Sequence, residues 1–194
     1  YKLMGLAPYG EPIYKDLILE KLIDLKPDGS FKMDMSYFAF IYDDVMTSPK
    51  MNELFNGPPR AAESEITQRE MDIAASIQVV TEEIVIRTAR TAHELTGSKN
   101  LTLAGGVALN CVANGRILRE GPFENVWIQP AAGDAGGALG AALFVWHQLL
   151  DNPRTTGEFD SQFGSFLGEQ ESAESITKYL DSVGAVYQEF SEEE

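Results

Sequence analysis

From Thr67 to about Leu95, the apolar positions Ile73, Ile77, Val80, Ile84, Ala92 and Leu95 recur at spacings near 3.6, with the hydroxyl of Thr88 the only interruption. This stretch predicts the longest helix of the chain, and Gly97 stands where a C-terminal cap belongs. Ahead of it, residues 15–25 place Leu17, Ile18, Leu22 and Ile23 on one helical face that stops before the turn Pro27-Asp28-Gly29. Residues 30–42 alternate loosely, with Phe31, Met33 and Met35 on one side, and predict a strand or hairpin. The aromatic cluster Tyr37, Phe38, Phe40 and Tyr42 reads as core rather than as a stacking platform for a ligand. Asn56-Gly57-Pro58-Pro59-Arg60 is a hard break.

The pattern then changes to two strand-to-turn-to-helix units in tandem. In the first, the β-leaning run Leu101–Leu103 ends at Gly105-Gly106, and an apolar-periodic helix is expected from about Val107 to Leu118. In the second, Val126, Trp127 and Ile128 form the strand and Gly133 the turn. Asp134 is the expected first residue of a helix running to about Leu149. Strands alternating with helices place the chain in the α/β class. After Asn152-Pro153-Arg154 the pattern loosens into a Gly/Ser-rich linker holding Phe163 and Phe166, with a helix expected near Glu171–Asp181 and a short strand near Ala185–Phe190. The division this implies is a domain over residues 1–152, followed by an acidic linker and the start of an adjoining domain over 153–194.

The two glycine turns are the candidate chemistry. Glycines let backbone amides approach a ligand, and unpaired amides at a helix start favour negative charge. Neither turn is a GxGxxG or GxxxxGK[ST] motif, so neither a Rossmann nor a P-loop fingerprint is present. Two explanations stay open for Gly105, Gly106, Gly136, Gly137 and Gly140: close helix-to-sheet packing, or room for a ligand. Asp134, set between glycines, is either a helix N-cap or a ligand to something bound.

Composition narrows the classes. The chain has 194 residues, 44% of them hydrophobic, enough for one core or a core with an appendage. No run approaches the length of a membrane helix and no signal-peptide pattern opens the chain, so no membrane partner is expected. The formal charge is −15, from 30 acidic and 15 basic residues, and −9 of it falls within residues 151–194. Such a surface repels nucleic-acid phosphates, so no nucleic-acid partner is expected. The single cysteine, Cys111, excludes an internal disulfide, favours a cytoplasmic location and reads as a buried structural thiol. Arg60, Arg87 and Arg90 read as solvated or paired.

Three blocks carry a resemblance: GLAPYG at Gly5–Gly10, AGGVALNCVANGRIL at Ala104–Leu118 and QPAAGDAGGALGAAL at Gln129–Leu143. Together, in this order, they resemble the O-carbamoyltransferases of the nodulation-protein and antibiotic-tailoring type, relatives of the tRNA threonylcarbamoyl-transferases. The resemblance implies an α/β, actin-like (RNase H-like) nucleotide-binding half-domain, the second half of the carbamoyl-transfer domain. It implies a biosynthetic enzyme that moves a carbamoyl group from carbamoyl phosphate and ATP, through carbamoyl-adenylate, to a hydroxyl of a sugar or other small metabolite. Gly105, Gly106, Val107, Asn110 and Gly133 would lie against the nucleotide, Asn110 from one turn inside its helix, and Asp134 would ligate a divalent metal such as iron.

The same resemblance marks what is absent. The family's HxxxH metal-binding element has no counterpart, and His93 and His147 sit in the last turns of their helices, where histidines are ordinary. No catalytic nucleophile or base is assigned. The start at Tyr1 inside a motif and the end at Ser191–Glu194 fit a piece of a longer polypeptide, whose amino-terminal half and carboxyl-terminal adenylate-forming domain would lie elsewhere. A sugar kinase of actin-like fold, the tRNA-modifying relatives and a non-enzymatic assembly role remain as alternatives.

Overall fold

The computed structural model describes residues 2–157 and 160–190; Tyr1 and the acidic stretch Ser191–Glu194 lie outside them. Two compact units follow each other along the chain, Tyr1–Asn152 and Pro153–Glu194.

The first unit opens with α1 (Lys2–Leu6) and a 3-10 turn over Ala7–Tyr9, then α2 (Lys15–Lys21). The helix expected over 15–25 is cut short. Ile23–Leu25 forms β1, which pairs antiparallel with β2 (Phe31–Met33) in the register Ile23↔Met33 and Leu25↔Phe31. The turn between them supplies the reason: Gly29 takes φ +86°, Lys26 N–H donates to Ser30 C=O at 2.8 Å, and the Asp28 carboxylate accepts from Ser30 N–H at 2.9 Å. The hairpin tip rests on the long helix, because a Cβ on Gly29 would lie 2.5 Å from the backbone nitrogen of Thr88. Of the aromatic cluster, Tyr37 is buried and Phe38 packs beside it, while Phe40 and Tyr42 are exposed. A short helix not anticipated from the sequence, α3 (Pro49–Leu54), closes this side ahead of the Pro58-Pro59 break.

The long helix α4 (Gln68–Thr96) forms as expected. At its start the Glu70 carboxylate accepts from the Thr67 hydroxyl at 2.6 Å and the Thr67 N–H at 3.0 Å, and Arg69 pairs with it at 2.7 Å. At its end Gly97 adopts the left-handed conformation, φ 63°, and its N–H donates to His93 C=O. The apolar stripe read from the sequence is one of two buried faces. Ile73, Ile77, Val80 and Ile84 join Ile18, Leu22, Tyr37 and Phe55 in one cluster, whereas Ile86 and Ala89 join Ile117 and Phe123 in another. Leu95, counted in the stripe, is exposed. Each fully buried aliphatic side chain contributes about 1.5–3 kcal/mol.

The second cluster lies under a βαβ unit: β3 (Asn100–Leu103), a 3-10 turn (Gly106–Leu109), α5 (Cys111–Glu120) and β4 (Asn125–Ile128). β3 and β4 pair parallel, Asn100↔Asn125 through Leu103↔Ile128. After β4 come α6 (Gly136–Phe144) and a π-helical turn over Val145–Leu149. α6 is apolar on every side and buries none of its residues; Leu139, Leu143 and Phe144 are exposed. The described architecture is thus mixed α/β, with two two-stranded sheets.

In the second unit, Ser172 caps α7 (Ala173–Ser182) by accepting from Ser175 N–H at 3.0 Å. The strand expected near 185–190 does not form; Tyr187 instead donates from its hydroxyl to Asp181 at 2.9 Å. Phe163 and Phe166 are exposed. No described helix is long and apolar enough to cross a membrane.

The GLAPYG block is clamped to α4. Buried Asp72 accepts from Glu11 N–H at 2.8 Å, and buried Ser76 accepts from Tyr14 N–H at 3.0 Å. A Cβ on Gly10 would lie 2.1 Å from the Met71 carbonyl oxygen. Gly10→Ala should therefore destabilise by roughly 1–3 kcal/mol in denaturant unfolding; a loss near zero would mean that this loop is free to leave α4. A second expectation concerns pH. Thr67's hydroxyl, then Arg69, holds the Glu70 carboxyl down from 4.5 to about 2. Because the folded value lies below the ordinary one, the contribution is complete above about 4.5 and is lost as pH falls toward 2. The thermal midpoint should drop across that window, and Glu70→Gln should flatten that part of the drop.

Candidate functional site

The two strand ends place the two glycine turns side by side. Leu103 and Ile128 are paired residues, so the chain leaves the parallel sheet twice at the same edge. The turns are then tied together: Gly105 N–H donates to Ala132 C=O at 2.8 Å, and Gln129 N–H to Leu103 C=O at 3.4 Å. The crevice beyond the carboxyl ends of parallel strands is the usual ligand position in such sheets.

Gly105 has φ +98° and ψ 160°, a conformation that side-chain-bearing residues avoid. Its carbonyl accepts from Ala108 N–H at 3.0 Å, starting the 3-10 turn. The amides of Gly106 and Val107, which lead that turn, donate to no acceptor among the described residues. Both residues are exposed. A Cβ on Gly136 would fall 2.0 Å from the Ala131 carbonyl oxygen, a contact with its own turn and not with the sheet, whereas Cβ atoms on Gly105, Gly106, Gly137 and Gly140 would meet nothing within 4 Å among the described residues, so close helix-to-sheet packing does not account for these glycines. A Cβ on Gly133 would stand at ordinary contact distance, 3.8 Å, from a methyl of Leu109.

Asn110 departs from the expected position. The helix predicted over 107–118 is broken in two, and Asn110 is its joint, with extended backbone (ψ 90°) as the N-cap of α5. Its side-chain oxygen accepts from Ala113 N–H at 3.1 Å, which is why the regular helix starts at Cys111 and not at Val107. The same side chain forms a reciprocal amide pair with Gln78 of α4: Asn110 Nδ2 donates to Gln78 Oε1 at 2.9 Å, and Gln78 Nε2 to Asn110 Oδ1 at 3.1 Å. Gln78 is buried, and no spacing in the sequence marks it, because its burial depends on α5 crossing α4.

A polar seam continues from this pair. Gln78 Nε2 also donates to Glu82 at 2.8 Å, and Arg116 of α5 reaches Glu82 at 4.0 Å, Glu83 at 3.6 Å and Glu120 at 2.9 Å. Hydrogen bonding to Glu120, with the charges of Glu83 and Glu82, raises the Arg116 pKa; the Arg87 hydrogen bond, with Arg116, lowers that of Glu83. Arg87, on the far side of Glu83, also donates to Lys26 C=O. Arg60 donates to the carbonyl of Ser64.

Asp134 is neither the first helical residue nor the cap. Gly136 N–H donates to Gly133 C=O and Gly137 N–H to Asp134 C=O at 3.0 Å, so the chain makes turns before α6, and Ala135 is the N-cap. The Asp134 side chain is exposed and has no hydrogen bond or ion pair among the described residues. The Nδ1 atoms of His93 and His147 bond to the backbone oxygens of Ser98 at 2.8 Å and Asn152 at 3.0 Å. The described residues hold no group of three His, Cys, Asp or Glu able to bind a metal, so Asp134 by itself does not make a metal site. Cys111, expected to be buried, is exposed, with its sulfur 3.8 Å from that of Met4.

This arrangement, an α/β unit with paired glycine turns at one sheet edge, can be set beside known proteins. Residues 1–143 match the family described as carbamoyltransferase N-terminus, and the chain belongs to that family. It is 60% identical over its whole length to an uncharacterized protein of Synechocystis sp., of which it covers 32%. It is 37% identical to the nodulation protein NolNO of Sinorhizobium fredii and 36% identical to the nodulation protein NolO of Bradyrhizobium diazoefficiens, in each case over 90% of this chain and 24% and 30% of theirs. The chain thus spans a third or less of the length of these relatives.

An exposed carboxylate without partners has little to do with folding. Asp134→Asn should leave the unfolding free energy within about 0.5 kcal/mol in denaturant titration; a larger loss would reveal a structural contact for this side chain.

Proposed function

We propose that the chain forms the nucleotide-facing part of an enzyme that transfers a carbamoyl group to a hydroxyl of a sugar or other small metabolite. The observation that carries this reading is the open turn at Gly105–Val107: a backbone conformation at Gly105 that favours glycine, the amides of Gly106 and Val107 without acceptors among the described residues, and open space where side chains at 105 and 106 would stand. Free N–H groups of this kind suit phosphate oxygens. Membership of the carbamoyltransferase family supports the transferred group.

In this reading water takes the phosphate from carbamoyl phosphate to leave carbamate, and a carbamate oxygen bonds to the α-phosphorus of ATP as the bond to pyrophosphate breaks, giving carbamoyl-adenylate. In the transfer step the acceptor oxygen forms the new bond to the carbamoyl carbon and gives up its proton to solvent, the anhydride bond to AMP breaks, and AMP carries away the electron pair. The residues of this chain bind and orient. The amides of Gly106 and Val107 hold the adenylate phosphate, Asn110 adds a side-chain hydrogen bond, and Gly133 keeps the second turn low enough for the ligand to lie across both. Asp134 brings one carboxylate to the rim of the same turn. It would be one ligand of a divalent ion such as iron, whose other donors are not gathered among the described residues. An actin-like arrangement is part of the same proposal, with β3, β4 and α4 belonging to one RNase H-like half.

The test uses the full polypeptide with ATP, carbamoyl phosphate and a divalent metal ion, with products read by mass spectrometry. AMP and pyrophosphate should form only when carbamoyl phosphate is present; ADP would overturn the reading in favour of phosphotransfer. In the same assay Asp134→Asn should lose transfer to an acceptor, and retained transfer would remove Asp134 from the site.

A further inference from the structure

The amide pair between Gln78 and Asn110 is fixed in one orientation from both ends. At the α5 end, Ala113 N–H can only donate, so the Asn110 atom 3.1 Å from it must be Oδ1, and Nδ2 is left to donate to Gln78 Oε1 at 2.9 Å. At the α4 end, the Glu82 carboxylate accepts, so the Gln78 atom 2.8 Å from it must be Nε2, which also donates to Asn110 Oδ1 at 3.1 Å. A helix cap and a carboxylate thus select one of the two ways each amide could lie. Once these bonds are made, one Nδ2 hydrogen of Asn110 has no acceptor among the described residues. Asn110 is half-buried and directly follows the open Gly105–Leu109 turn, while Gln78 is only 5% exposed and lies behind it.

We propose that Gln78 is a positioning residue for the nucleotide: it holds Asn110 so that this residue offers a donor, Nδ2–H, to an oxygen of the bound nucleotide, and Glu82 fixes the orientation of Gln78. The proposal rests on the reading of the Gly105–Asn110 turn as a nucleotide site. Gln78 does not touch the ligand; it acts through Asn110. A glutamine that merely filled space between α4 and α5 would be replaceable by an apolar residue of similar volume without any change in ligand affinity.

The experiment measures ATP–magnesium binding by calorimetry on the full polypeptide and on Gln78→Leu, Asn110→Ala and the double variant, with thermal midpoints in parallel. Gln78→Leu should weaken binding about tenfold, Asn110→Ala at least as much, and the double variant no more than Asn110→Ala by itself. Gln78→Leu binding like wild type, or losses that multiply in the double variant, would overturn the positioning role while leaving the nucleotide site standing. Wild type that binds no ATP would overturn both. Gln78→Met, unbranched like the native side chain, covers the case in which Gln78→Leu does not fold. It should weaken binding about tenfold as well, and binding like wild type would overturn the proposal.

Discussion

Both hydrophobic clusters of the first unit are closed by the helix Gln68–Thr96. Its amino-terminal half completes the cluster of Ile18, Leu22, Tyr37 and Phe55, and its carboxyl-terminal half completes that of Ile117 and Phe123. Neither cluster could close alone, since each two-stranded sheet has only one partner strand and needs a helix to cover it. A single long helix solves both problems, at the cost of carrying two buried faces. The polar residues between those faces then find specific partners: Asp72 and Ser76 take the loop after GLAPYG, and Gln78 and Glu82 take the start of the following helix and Arg116.

The glycine turns depend on this arrangement without taking part in it. Pairing Leu103 with Ile128 brings the two turns to one edge, and the Gly105-to-Ala132 hydrogen bond fixes their separation. Once they are tied, the amides of Gly106 and Val107 are presented by rigid elements and not by a free loop. The cap at Asn110 has a double effect. It ends the 3-10 turn and starts the α-helix, and it couples the turn to the buried face of the long helix through Gln78.

Family membership and site geometry carry different parts of the functional reading. Membership speaks to the transferred group, since the chain belongs with the carbamoyltransferases over residues 1–143. Geometry contributes the open turn at Gly105–Val107, whose Gly106 and Val107 amides have no acceptor among the described residues. The helix Gly136–Phe144 is apolar on every side and buries none of its residues, whereas a helix of that kind is ordinarily covered.

The sequence by itself determined the long helix with its glycine cap, the two strands ahead of the glycine turns and the family, because each rests on local periodicity, on glycine stereochemistry or on contiguous motifs. It misplaced what depends on competition between partners. Residues 23–25 carry a helical pattern yet form a strand, because the Asp28-Gly29 turn brings Phe31–Met33 back beside them. Val107–Leu109 read as helix, but the Asn110 side chain captures the Ala113 amide and restarts the helix there. Asp134 looked like a cap, yet the turns through Gly133 and Asp134 carbonyls move the helix start beyond it. Cys111 looked buried, but the face of its helix that packs inward is that of Ala113 and Ile117. Gln78 was invisible for the same reason. Only the crossing of two helices buries it, and only the cap and the carboxylate on either side of it give its amide a direction.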